Sequence, residues 1–240
     1  GRWRTNYKSV KLHAEEVEKS LIDQANRGQI QVLSQADTIR EHGARLAVAS
    51  LAAIEKGTRE DGSVELRILH DGTNGVDVNR YIKVKDAGVC PVVADVKRAL
   101  RCQKASNMPH IGATIDVREA HRLVAVRPED WPLQACQATP GGYVFLNKVG
   151  TYGVGSAAYW WGRLAACLHR GCLAILGSAL GPFAMLFADD WDLTNGTKDF
   201  DMSILGFTWL LIVMGVPISW RKARGGLTYT WLGLEINRRE

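Results

Sequence analysis

Apolar and polar positions follow helical spacing at the start of the chain and shorter, strand-like runs later. Within residues 9–39, Val10, Val17, Leu21 and Ile22 recur at mostly helical intervals in a polar background, which predicts an amphipathic helical lead-in. Residues 45–54 form an apolar run, residues 60–63 a turn, and residues 64–69 a returning run. These predict a β-hairpin whose charged tip, with Lys56, Arg59, Glu60 and Asp61, projects into solvent. A turn cluster at 71–75 precedes a basic helix over 95–105, and residues 112–115 make an apolar strand running into Asp116. Residues 123–126 and 131–137 read as two antiparallel strands about the turn 127–130, and 140–142 turns again into 143–146. The glycine-rich run 150–158 opens a helix carrying Tyr159, Trp160, Leu164 and Leu168; of the adjacent Trp160 and Trp161, at most one faces a core squarely. Residues 183–188 are a short apolar strand ending in Asp189-Asp190.

Two stretches, 171–188 and 202–220, carry no charged residue and approach the length that spans a bilayer. Gly171, Gly177, Gly181 and Pro182 interrupt the first. Gly206, Gly215 and Pro217 divide the second into a helix and a shorter extended piece, so no membrane partner is expected.

Composition narrows the class. With 240 residues, 46% hydrophobic and 23% charged, the chain is globular rather than disordered and has room for one large or two small folding units. Five cysteines, Cys90, Cys102, Cys136, Cys167 and Cys172, contain no Cys-x-x-Cys pair and suggest a reducing compartment. The basic, polar first residues have no apolar stretch behind them, so an intracellular rather than secreted protein is expected. The net charge of +5 is unevenly spread: no Asp or Glu lies between Asp130 and Asp189, where Lys148, Arg163 and Arg170 fall. Locally positive surface suits a polyanion such as nucleic acid, although an interior segment with few charges gives the same pattern.

The candidate chemistry is carboxylate chemistry. Asp116 and the Asp189-Asp190 pair each end an apolar strand, where a carboxylate is costly unless compensated. Brought together at the ends of one antiparallel sheet, they form the hard-oxygen cluster that a two-magnesium phosphoryl-transfer centre needs; apart, Asp189-Asp190 is a solvated turn. The run Gly153-Val154-Gly155-Ser156-Ala157-Ala158 resembles a dinucleotide-binding fingerprint but lacks its later acidic residue before Asp189. Cys167, His169 and Cys172 have zinc-like composition but do not share one helical face.

Taken in order, these segments resemble the reverse transcriptase domain of retroelements, especially retrotransposons of the DIRS kind. Residues 113–130, centred on Asp116, resemble its first palm motif; 144–164, centred on Tyr152-Gly153-Val154-Gly155-Ser156-Ala157, its second; and Phe187-Ala188-Asp189-Asp190 its aromatic-x-Asp-Asp motif. Residues 210–222 resemble the fourth motif, a helix, Gly215-Val216-Pro217 and a strand leading to Lys222, and Trp231-Leu232-Gly233-Leu234-Glu235-Ile236 resembles the primer grip.

The resemblance implies an α+β right-hand polymerase, with fingers over 1–95 and 124–151 and a palm over 96–123 and 152–240, the palm an antiparallel sheet backed by helices. The same resemblance predicts a thumb beyond Glu240. It implies RNA-directed DNA synthesis from dNTPs on a primed RNA or DNA template with two Mg2+ ions, Mn2+ being an alternative. Asp116 and Asp189 would bind metal with the Val117 carbonyl, and Asp190 would support the primer end. Arg67 would clamp the triphosphate. Tyr152 and Gly153 would approach the nucleotide, Lys222 would meet the leaving pyrophosphate, and Trp231, Leu232 and Gly233 would grip the primer. His121 stands where Tyr or Phe usually blocks a ribose hydroxyl, Glu119 where Asp is commoner, and Ala158 where Pro is usual. Arg163 and Arg170 are candidates for template phosphate. A decayed retroelement fragment that binds nucleic acid without catalysis has the same motifs.

Overall fold

The computed structural model describes residues 2–58 and 62–239, which leaves the expected hairpin-tip residues Arg59, Glu60 and Asp61 outside the described residues. In chain order the strands are β1 (Arg2–Trp3), β2 (Ile30–Leu33), β3 (Ala47–Ala49), β4 (Leu51–Thr58), β5 (Val64–His70), β6 (His110–Asp116), β7 (Ala135–Cys136), β8 (Val144–Asn147), β9 (Phe183–Phe187), β10 (Asp190–Gly196), β11 (Arg224–Gly226), β12 (Thr228–Trp231) and β13 (Leu234–Asn237). The helices are α1 (Lys8–Leu12), α2 (Ala14–Asn26), α3 (Gln35–His42), α4 (Val78–Tyr81), α5 (Val93–Ala105), α6 (Gly155–Leu180) and α7 (Phe200–Val213). The backbone divides into two compact units, residues 1–86 with 121–160 and residues 87–120 with 161–240.

The first unit holds a mixed five-stranded sheet in the order β1-β3-β7-β8-β2 and the β4–β5 hairpin. Its main core gathers Val10, Val17 and Leu21 from the first two helices against Leu51, Ala53, Cys136 and Phe145. Three expectations change here. The lead-in is not one helix: after α2 the backbone reverses at Gly28 (φ 75°), β2 joins the sheet beside β8, and α3 restarts at Ser34, whose Oγ accepts the Asp37 N–H (3.0 Å). The apolar run 45–54 is split at Ser50, whose carbonyl accepts the Asp71 N–H (2.9 Å), so β3 enters the sheet while β4 pairs with β5. The expected hairpin of 123–126 with 131–137 is replaced by 3-10 turns over Ala120–Leu123 and Pro128–Gln134. Pro128 and Pro132 have no N–H to give a ladder, and the pairing passes instead to β7 with β8.

The second unit is a four-stranded antiparallel sheet, β11-β6-β10-β9, with the β12–β13 hairpin beside it. Successive strand residues face opposite ways, so Trp191 and Leu193 share one face while Asp190, Asp192 and Thr194 share the other. Trp191, Leu193, Phe207 and Leu211 are fully buried, and the Trp191 and Phe207 rings meet edge to face at 6.3 Å, which seats α7 on the first face. Burial of each such side chain is worth about 2–3 kcal/mol. The second apolar stretch resolves as expected into α7, a reversal at Gly215 (φ 80°) and an extended piece. Among the described residues, α6 is the one helix long and apolar enough to cross a membrane by length and composition, and its backbone leaves helical geometry at Gly177. Trp161 is buried and Trp160 exposed, as their adjacency requires.

Candidate active site

The carboxylates come together because strand register puts them together. In the β6–β10 ladder Asp116 lies directly opposite Asp190, so their side chains share a face, and Phe187 opposite Asp190 leaves Ala188 and Asp189 as the two-residue turn of the β9–β10 hairpin. Ala188 has φ 53°, a left-handed conformation costing an alanine about 1–2 kcal/mol. Its carbonyl accepts the Trp161 Nε1–H (3.0 Å), and the Asp189 carbonyl accepts the Val117 N–H (3.0 Å), which fixes both sides of the turn.

The chain after α7 completes the group. Pro217 and Ser219 hydrogen-bond alongside the first carboxylate, with Arg118 N–H to the Pro217 carbonyl (2.8 Å) and Ser219 N–H to the Asp116 carbonyl (2.8 Å). The 3-10 turn Trp220–Lys222 then carries Lys222 back over Asp116, where Nζ is 2.9 Å from both carboxylate oxygens. The expected strand into the lysine is thus a bridge at Ile218 followed by a turn. Asp116 is buried. Burial, with the negative charges of Asp116 and Asp189, pushes the Asp190 carboxyl up to about 6, while Lys222 opposes the rise.

Among the described residues no group of three or more His, Cys, Asp or Glu side chains stands arranged to hold a metal ion as it is. At Asp116 the Lys222 ammonium supplies the compensating positive charge. The donor chemistry still fits a hard divalent ion: the ligands are oxygen only, and burial together with the nearby charges of Asp116 and Asp189 raises the Asp190 carboxyl, as it would where a cation is wanted. Cys167 is exposed and Cys172 buried, while His169 Nδ1 accepts the Trp191 Nε1–H (3.1 Å).

A second cluster lies in the first unit. The Arg67 guanidinium stands over the Tyr152 ring at 5.7 Å, and the Tyr152 and His121 rings are 4.7 Å apart. Gly153 (φ 106°) passes so close to β5 that a Cβ there would lie 2.1 Å from the His70 carbonyl oxygen. Asn79 clamps the loop: its Nδ2 donates to the Gly153 carbonyl (2.8 Å) and its Oδ1 accepts the Gly155 N–H (2.9 Å). Asp71 closes the base of the hairpin. Although burial opposes it, hydrogen bonds from Tyr7, Asn74 and Thr73 hold its carboxyl down at about 2. The sequence carries no local mark of the partners of Asn79 and Trp161, which lie 76 and 27 residues away.

The expected nucleotide-binding residues Arg67, His121, Tyr152 and Gly153 therefore sit in one unit, and Asp116, Val117, Asp189, Asp190 and Lys222 in the other. Trp231, Leu232 and Gly233 form the end of the β12–β13 hairpin, with Leu232 and Gly233 both at positive φ.

No protein-family model matches this sequence, and no curated protein does. Solved structures do. Prototype Foamy Virus protease-reverse transcriptase matches with TM-score 0.71 at 16% identity, over 100% of this chain and 28% of that one. The foamy viral enzyme with double-stranded DNA matches at TM-score 0.67 and 14% identity, over 99% of this chain and 35% of that one. Its complex with an RNA/DNA hybrid gives 0.68 and 14%, over 98% and 27%. The chain spans about a third or less of the proteins it matches, and it has the mixed α+β fold of reverse transcriptase fingers and palm.

Proposed function

We propose that the chain is the fingers and palm of an RNA-directed DNA polymerase from a retrotransposon of the DIRS kind, adding dNTPs to a primer 3′-hydroxyl on an RNA or DNA template. One observation carries this reading: within this fold, Asp116 and Asp190 are register partners and Asp189 occupies the turn beside them. Asp116 and Asp189, with the Val117 carbonyl, would hold divalent magnesium, or manganese in its place. When bound, it would neutralise the triphosphate and make the primer hydroxyl more acidic. Asp190 would lie against the primer end. Lys222, released from Asp116, would meet the leaving pyrophosphate. Arg67 would bind triphosphate oxygens, Tyr152 and Gly153 would approach the nucleotide, and His121, against Tyr152, would take the place of the sugar-discriminating side chain. Trp231, Leu232 and Gly233 would contact the primer. We assign residues 1–95 and 124–151 to fingers and 96–123 and 152–240 to palm. The five cysteines, none in a disulfide, support a reducing intracellular setting.

Primer extension on oligo(dT)-primed poly(rA) with magnesium tests the reading, comparing the wild-type chain with Asp189→Asn. Incorporation by the wild type and at least a hundredfold less by the variant is expected, about the size of a lost electrostatic contact in a transition state. Equal incorporation by both refutes the metal-ligand assignment. Tight primer–template binding with no incorporation favours the second reading, a retroelement fragment that binds nucleic acid without catalysis. The hold of Lys222 on Asp116 is the observation on that side.

A further inference from the structure

Asp192 follows Asp190 by two residues and so lies on the same face of β10. Unlike Asp190 it is completely buried, and so is the side chain opposite it in charge: Asp192 and Arg238 are 0% and 3% exposed. Arg238 Nη2 donates to Asp192 Oδ2 (3.3 Å), the Tyr229 hydroxyl donates to Asp192 Oδ1 (2.5 Å), and Arg238 Nε (3.0 Å) and Nη2 (2.5 Å) donate to the Tyr229 oxygen. Arg238 Nη1 reaches Gln103 Oε1 on α5. The sheet is cut to fit this arrangement. On β6, Gly112 leaves a notch in which a Cβ would come 2.1 Å from the Tyr229 hydroxyl oxygen. Burial raises the pKa of both the Asp192 carboxyl and the Tyr229 hydroxyl. Tyr229, Trp231 and Ile236 pack with Val96 and Ala99 of α5 and Met185 of β9.

A buried ion pair is weak evidence of stability, because desolvation consumes most of the attraction, but it is geometrically demanding. This one joins the strand that bears Asp190 to the hairpin whose turn carries Leu232 and Gly233, with Trp231 buried beneath it. Apolar packing alone permits small sliding of a hairpin across a sheet; two charge-assisted bonds to Asp192, beside a notch one glycine wide, do not.

We propose that Asp192, Tyr229 and Arg238 are positioning residues, a buried lock that holds the β12–β13 hairpin in a single placement against the carboxylate strand and thereby fixes where the primer end lies relative to Asp190. The second half of this statement rests on the polymerase reading above; the first does not.

Amide hydrogen exchange on the 240-residue chain tests the lock without any activity. In Tyr229→Phe, amides of β12 and β13 are expected to exchange at least about tenfold faster, as for loss of one hydrogen bond to a charged group, while those of Ile115 and Leu193 keep their wild-type rates. Asp192→Asn and Arg238→Met each strand a buried partner and should loosen the hairpin further. The double variant, which strands neither charge, should recover part of the protection. Unchanged hairpin exchange in Tyr229→Phe overturns the lock, and so does acceleration spread equally over β6 and β10. In primer extension, Tyr229→Phe is expected to raise the primer–template KM about tenfold with the dNTP KM unchanged. A loosened hairpin with an unaltered primer–template KM overturns the primer-positioning half. A loosened hairpin in Tyr229→Phe, together with a wild-type chain that extends no primer, upholds the lock and overturns the polymerase reading.

Discussion

His70 and Asp190 are two titratable side chains held on the wrong side of their ordinary ranges, with opposite consequences. His70 is buried with neither ring nitrogen hydrogen-bonded among the described residues, and burial brings its pKa down to about 4, with the Arg122 charge adding to the fall and Asp71 opposing it. Its folded value lies below the unfolded value of about 6.5, so the unfolded chain binds the extra proton between them and stability is lost as pH falls through that window. About 2–3 kcal/mol should disappear between pH 7 and pH 4.5 in urea unfolding, and His70→Leu should flatten that part of the profile. Asp190 runs the other way. Its raised pKa means that ionising it in the folded state costs stability as pH rises from about 4 to about 6, and the cost persists at neutral pH. Asp190→Asn should therefore raise stability at pH 7 by about 1 kcal/mol while reducing any polymerase activity, the usual exchange between a strained site and its function. Magnitudes like these were not legible in the sequence: that Asp189-Asp190 is costly could be read from the apolar strand before it, but nothing near His70 announces a histidine sealed away from water.

At the scale of elements, the sequence told most where turn chemistry and alternation agreed. The β9–β10 hairpin, the break of the second apolar stretch at Gly215 and the β4–β5 hairpin were all legible for that reason. Segments that depend on distant partners were not. Residues 30–33 become a strand because β8 offers a ladder, and 131–137 could not pair where Pro132 sits. The loop at Gly153 is the sharpest case of an element set by a remote one, since its glycine is required by the carbonyl of His70 rather than by its own neighbours. Gly153→Ala should cost about 2–4 kcal/mol, from a Cβ driven into backbone added to an unfavourable φ. Gly28→Ala is the matching control. It too has a positive φ (75°, against 106° at Gly153) but nothing within 4 Å of the added Cβ, and should cost only about 1 kcal/mol. Equal losses in chemical denaturation would mean that conformation, not the approach to β5, explains Gly153.

At the scale of the molecule, the acid-free interval between Asp130 and Asp189 shows an uneven charge along the chain but cannot say which way any arginine faces. The second unit does. Trp191 and Leu193 mark the face of the sheet opposite Asp116 and Asp190, and α6 is tied to that face through the His169–Trp191 hydrogen bond (3.1 Å). Arg170, next to His169, therefore belongs to the backing layer. Arg224 is the contrasting charge: it pairs with Thr114 in the β11–β6 ladder, so its side chain starts from the same face as Asp116, and it is exposed. A duplex lying on the carboxylate face would release counterions through Arg224 and not through Arg170, and each phosphate neutralised contributes about 0.9 to the slope of log K against log salt. With a primer–template duplex, Arg224→Gln is expected to lower the steepness of that plot by about 0.9 and Arg170→Gln to leave it as in the wild type. The reverse result, a shallower slope for Arg170→Gln with none for Arg224→Gln, would put the nucleic acid on the helical side of the sheet and remove it from the carboxylates altogether.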